Sequence, residues 1–74
     1  MRKGWDNRKY EGPSPRELEV LRHIVRGETD VQIGMALGVS DNTVRCHVTH
    51  AKKKLHAHTR TQLVLKAIKI VGEA

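Results

Sequence analysis

Apolar positions along the chain recur at helical intervals in four separate blocks, and each block opens on a residue suited to capping a helix. In the first block Leu18, Leu21, Ile24 and Val25 share one stripe, the spacing of a half-buried helix. The preceding "SPRE" supplies Ser14 as cap, Pro15 at the first helical position and Glu17 three residues after the cap. That combination is a capping box, in which two side chains satisfy backbone N–H groups that the helix start leaves free. Gly27 marks the stop, since glycine readily adopts the left-handed conformation at helix ends. Thr29 and Gln32 in "TDVQ" repeat the box and open a shorter second helix through Leu37, which Gly38 breaks. Ser40 caps a third helix with Val44, Val48, Ala51 and Leu55 on one side. Thr59 and Gln62 in "TRTQ" supply a third box and start a fourth helix that runs to about Val71. No strand-like alternation occurs. The predicted fold class is all-α, four short helices with a central helix-turn-helix, because only about three residues separate the second helix from the third.

The expected core is small and aliphatic: Leu18, Leu21, Ile24, Val25, Ile33, Leu37, Val39, Val44, Val48, Leu55, Val64, Ala67 and Ile68. Helix four carries more apolar surface than one such core consumes. At ~100° per residue, Leu63, Val64, Ala67, Ile68, Ile70 and Val71 spread over nearly half its circumference, and Leu65 lies beyond that arc. The surplus predicts self-association through helix four.

Length and composition narrow the class. The 74 residues make room for one small domain. The single cysteine excludes an intramolecular disulfide framework and fits a reducing, cytoplasmic location. No apolar run approaches a membrane span, and "MRKGWDNRKY" has no apolar signal region. Residues 1–13 are polar with isolated Trp5 and Tyr10, and are expected to be a flexible basic arm ahead of a domain over 14–72. The formal net charge of +6 is uneven. Residues 1–41 hold seven Lys/Arg against seven Asp/Glu, whereas residues 42–74 hold seven Lys/Arg against Glu73 alone. Such an asymmetry points to a polyanionic partner.

Helix three says which partner. Opposite its apolar stripe it projects Asn42, Arg45, Cys46, Thr49, His50 and Lys53. An α-helix fits the major groove of B-DNA and is too wide for the minor groove. Long cations at the groove walls meet phosphates, and short residues in the middle of the stripe allow close approach to base edges. Arg45 can bond two acceptors on guanine, while Cys46 and Thr49 can touch a thymine methyl or a neighbouring edge. The uncancelled charge is tolerable because DNA supplies the counter-charge and releases its counterions on binding.

The run "SPRELEVLRHIVRGETDVQIGMALGVSDNTVRCHVTHAKKKL", followed by "TRTQLVLKAI", resembles the LuxR/FixJ-type helix-turn-helix family, the type of GerE and NarL. The likeness covers roughly residues 13–71, with "PRELEVL", "GVSDNTVRCHV" and "TRTQ" in the family's order and spacing. It implies a sequence-specific bacterial transcription regulator that binds double-stranded DNA as a homodimer through its last helix. RNA polymerase is a candidate further partner. By position in the family pattern, Arg45, Cys46 and Thr49 face bases, and Thr29, Asn42, Thr43, His47, Lys53, Lys54 and Arg60 face phosphates. His50 joins them as a donor within phosphate range. The dimerising surface on this reading is Leu63, Leu65, Lys66 and Ile70. Departures from the family pattern are Gln32 for Glu, Gly34 for Ala and His56 for Gly. Gly34 is expected to cost helix two up to ~1 kcal/mol relative to Ala, and His56 to end helix three less sharply than glycine. With 13 residues ahead of the domain, the expectation is a stand-alone regulator controlled by its synthesis, by a partner or by the DNA.

Other chemistries fit less well. Cys46 and His50 at i, i+4, with His56 and His58 following, do not converge as the four ligands of a closed zinc site, so no metal, cofactor or small-molecule ligand is expected. An enzyme is not expected either: Cys46 and His47 point about 100° apart on a helix, and there is no Gly-rich phosphate loop. The basic helix lacks the bulky apolar face of a membrane-surface helix. Two alternatives stand beside the main reading. One is a promoter-binding domain like region four of sigma factors. The other is an interaction module that pairs through helix four with full-length relatives.

Overall fold

The structure, a computed structural model, describes residues 12–72. It has four helices: α1 (Pro15–Val25), α2 (Asp30–Leu37), α3 (Asp41–Leu55) and α4 (Arg60–Val71). Strands are absent among the described residues. The arm expected over residues 1–13 lies outside the described residues except for Gly12 and Pro13.

Capping decides where each helix begins. Ser14 Oγ accepts from Glu17 N–H at 3.2 Å and Glu17 Oε1 accepts from Ser14 N–H at 2.9 Å, so the first box is complete. Thr29 and Gln32 close the second box in the same way. The third expected box is only half formed. Thr59 Oγ1 accepts from Gln62 N–H, but Gln62 Oε1 takes the N–H of His58 at 2.7 Å instead of that of Thr59. The extended backbone of Thr59 (φ −129°) brings the earlier amide within reach.

Between α2 and α3 the chain turns at Gly38, which is left-handed at φ 74°, and Val39 N–H returns to Gly34 O at 2.9 Å. A Cβ on Gly34 would stand 2.6 Å from Val39 O. The bare Cα therefore lets the turn close onto α2, a gain that sets against the helix propensity expected to be lost there. At the other end of α3, His56 is the one non-glycine residue with positive φ among those described (φ 56°). It stops the helix sharply after all. Ala57 N–H folds back to Lys52 O at 2.9 Å and His56 N–H to Lys53 O at 3.3 Å. Lys66 of α4 caps the same terminus, donating to Leu55 O at 2.8 Å and His56 O at 3.0 Å. A left-handed L-residue costs ~1–2 kcal/mol, partly offset by the extra freedom glycine has when unfolded. His56→Gly is therefore expected to stabilise the domain by about 0.5–1 kcal/mol, read as a higher midpoint in urea unfolding.

α1 packs on both α3 and α4, and α2 packs chiefly on α3. The buried core is Val20, Leu21 and Ile24 of α1, Ile33 of α2, Val44, Val48 and Ala51 of α3, Ala57 of the loop that follows, and Leu63 and Ala67 of α4. Several expected core residues, among them Leu18, Val25, Leu37, Val39, Leu55 and Val64, are half-buried along its edge instead. The α1 stripe is rotated because Glu17 occupies its first position, with only 4% of its surface exposed.

The expected role of Leu63 in dimerisation is corrected here. Leu63 is 0% exposed within the core and has no surface left for a second chain. Leu65 and Ile70, at 59% and 46%, are the large apolar residues of α4 that remain exposed.

Candidate nucleic-acid interface

The helix-turn-helix leaves one long face of α3 uncovered. Its apolar side is clamped by the core, so the residues a third of a turn or more away must face solvent. Asn42, Thr43, Arg45, Cys46, Thr49, His50, Lys53 and Lys54 are all exposed, and His47 is half-buried. Two shallow depressions run along this face and share Thr49. One, of about 400 Å³, is lined by Asn42, Arg45, Cys46, Thr49 and His50. The other, of about 410 Å³, is lined by Thr49, Lys52, Lys53, His56, Ala57 and His58. The described acids are Glu17, Glu19, Glu28, Asp30 and Asp41, so every one lies ahead of Asn42 in the chain.

Tertiary packing sorts the cations into free and engaged. Lys53 has an exposed side chain on the rim of the second depression. Lys54, by contrast, reaches across to α1 and bonds Glu17 Oε1 at 2.9 Å, and His50 Nδ1 stands 3.8 Å from Glu17 Oε2. Burial pushes the Glu17 carboxyl up, but the Lys54 hydrogen bond, the Ser14 amide and the charges of Lys54 and His50 bring it below its ordinary 4.5. Arg60 is tied at both ends: Nη1 to Asp30 Oδ1 at 2.7 Å and Nη2 to Glu28 O at 3.1 Å. In the free domain the side chains of Lys54 and Arg60, both expected at phosphates, each brace two elements. Thr29 and Thr43 lie at helix starts, where Thr29 Oγ1 takes the Gln32 amide and Thr43 Oγ1 pairs with Ser40 Oγ at 3.0 Å.

Arg45 lies over the start of α3, the direction in which helical side chains lean. Its Nη1 donates to Asn42 Oδ1 at 2.9 Å, its Nη2 to Asp41 Oδ2 at 3.5 Å, and its Nε stands 3.7 Å from Asp30 Oδ2. Asp30 and Asp41 are thus acidic neighbours of Arg45 that the pattern along α3 did not place beside it. The Asp41–Arg45 spacing of i, i+4 was a readable signal; nothing local joins Asp30 to Arg45.

The family model for "Bacterial regulatory proteins, luxR family" matches residues 14–67, which takes in α1 to α3 and most of α4. The chain belongs to the LuxR family. Over 52 residues it is 42% identical to the two-component response regulator PprB of Pseudomonas aeruginosa, covering 70% of this chain and 19% of that protein. Over 54 residues it is 41% identical to the regulatory protein SdiA of Escherichia coli, covering 73% of this chain and 22% of SdiA. The quorum sensing-dependent transcriptional regulator RpaR of Rhodopseudomonas palustris is 38% identical over 55 residues, 74% of this chain and 23% of RpaR. The chain thus spans about a fifth of the length of these curated relatives. No solved structure matches. The LuxR-family domain is a DNA-binding helix-turn-helix for transcription regulation, which replaces the sigma-region-four alternative. No described helix is long and apolar enough to cross a membrane.

Proposed function

We propose that this LuxR-family domain binds double-stranded DNA sequence-specifically in the cytoplasm, laying α3 in the major groove. The observation that carries this reading is the exposed face from Asn42 to Lys53, with no acid in the chain from Asn42 through Gly72, Asp41 and Asp30 beside its start, and the buried Glu17 reaching only the His50 edge. Arg45, Cys46 and Thr49 then read base edges, while Thr43, His47 and Lys53 meet phosphates. Dimerisation on DNA uses Leu65 and Ile70 of α4, placing two half-sites about one helical turn apart.

An in vitro selection from a randomised duplex library, at near-physiological salt, tests the reading. An inverted repeat among the bound sequences is the expected result; salt-steep binding without a motif would remove the specificity. Lys53→Ala is expected to weaken binding to all duplexes alike and to lower the salt slope by about one, as read from titrations at several salt concentrations. The second reading, an interaction module pairing through α4, draws on the exposure of Leu65 and Ile70. Absence of any duplex binding would bring it forward.

A further inference from the structure

Asp30 stands at the first position of α2, yet its carboxylate touches both of the other elements at this end of the domain. Oδ1 receives Arg60 Nη1 of α4 at 2.7 Å, and Oδ2 lies 3.7 Å from Arg45 Nε of α3. The side chain is only 17% exposed, and Arg60 is itself anchored by Nη2 on Glu28 O at 3.1 Å. The carboxylate is therefore a fixed point, held from the side away from Arg45.

A guanidinium has five donors in one plane. With Nε paired to the Asp30 carboxylate at 3.7 Å, the two terminal nitrogens remain available at the end of the fork. In the free domain those nitrogens rest on Asn42 Oδ1 at 2.9 Å and Asp41 Oδ2 at 3.5 Å. Asn42 is exposed and the Asp41 side chain 42% so; neither acceptor is braced by another element. Two adjacent acceptors in the major groove, O6 and N7 of one guanine, could replace them with the same two-pronged geometry. We propose that Asp30 is a specificity-determining positioning residue that orients Arg45 for bidentate recognition of a single guanine. The inference rests on the reading of α3 as the groove helix and adds a residue from outside that helix.

The chemistry has a cost that makes it testable. An acid close to DNA repels phosphates, so Asp30 should lower affinity for arbitrary sequence while sharpening one base position. A residue that merely held α2 in place would lower affinity for every sequence together. The experiment compares the full chain, Asp30→Asn, Arg45→Ala and the double variant, each put through selection from a randomised duplex library and titrated with random-sequence duplex. The guanine position is the one whose preference Arg45→Ala removes. Asp30→Asn keeps an acceptor for Arg60 and is expected to lower the preference for guanine there by about tenfold, with random duplex bound as tightly as before or more so. The double variant should discriminate no worse than Arg45→Ala alone. Asp30→Ser, which also keeps an oxygen in the first turn of α2, covers the case in which the asparagine chain does not fold. An unchanged guanine preference, an equal loss on all sequences, or additive losses in the double variant would each overturn the role of Asp30. A wild-type chain that binds no duplex would instead overturn the proposed function on which it rests.

Discussion

Arg45→Ala is expected to weaken binding to a selected operator by about 1–3 kcal/mol, roughly 5- to 150-fold, while random duplex loses far less. Arg45 is the long cation at the start of the exposed α3 face, and its terminal nitrogens sit on Asn42 and Asp41, which solvent reaches. Leaving those partners costs little, because exposed ion pairs contribute about 0–1 kcal/mol. A bidentate contact to guanine is stronger and directional. Titrating the protein and its variant with operator and random duplex at one salt concentration gives both losses. Equal losses on the two duplexes would move Arg45 from base to phosphate.

The second large effect concerns folding. Glu17→Ala is expected to destabilise the domain by about 2–3 kcal/mol, from one helix cap and one charge-assisted hydrogen bond. Glu17 occupies a core-facing position on α1, closes the box with Ser14, and accepts from Lys54 of α3. Glu17→Gln keeps the reciprocal cap and removes the charge, so it should cost less. The carboxyl is held below its ordinary 4.5, so its ionised form is the one the fold favours. Its contribution is therefore fully present above the unfolded value and is lost as pH falls below that value and through the lower folded one. Urea unfolding at neutral pH and at about pH 3 should show the gap between wild type and Glu17→Gln narrowing in acid. A gap of the same size at both pH values would mean that the charge contributes nothing.

The two effects differ in how far the sequence anticipates them. Arg45 was legible as a candidate because its place on α3 follows from helical periodicity alone. Glu17 was legible only as a cap. That it also sits in the core and braces α3 depends on the crossing of α1 over α3, which brings together residues 37 apart. The apolar pattern of α1 misled for the same reason: counting only apolar residues centred the stripe on Leu18 and Leu21, whereas the buried face runs through Glu17, Val20, Leu21 and Ile24.

By itself the sequence determined the four helices, their starts at Ser14, Thr29, Ser40 and Thr59, and the short turn at Gly38. Caps and turns are contacts within a few residues, so their chemistry is written locally. It also determined the acid-free stretch after Asp41. Only the tertiary structure decided which cations stay free, with Lys53 exposed while Lys54 and Arg60 pair with Glu17 and Asp30. It alone placed Leu63 in the core and left Leu65 outside. Those outcomes follow from how the helices cross, because a side chain's partner on another helix is set by the angle and register of the packing, which no spacing along a single helix records.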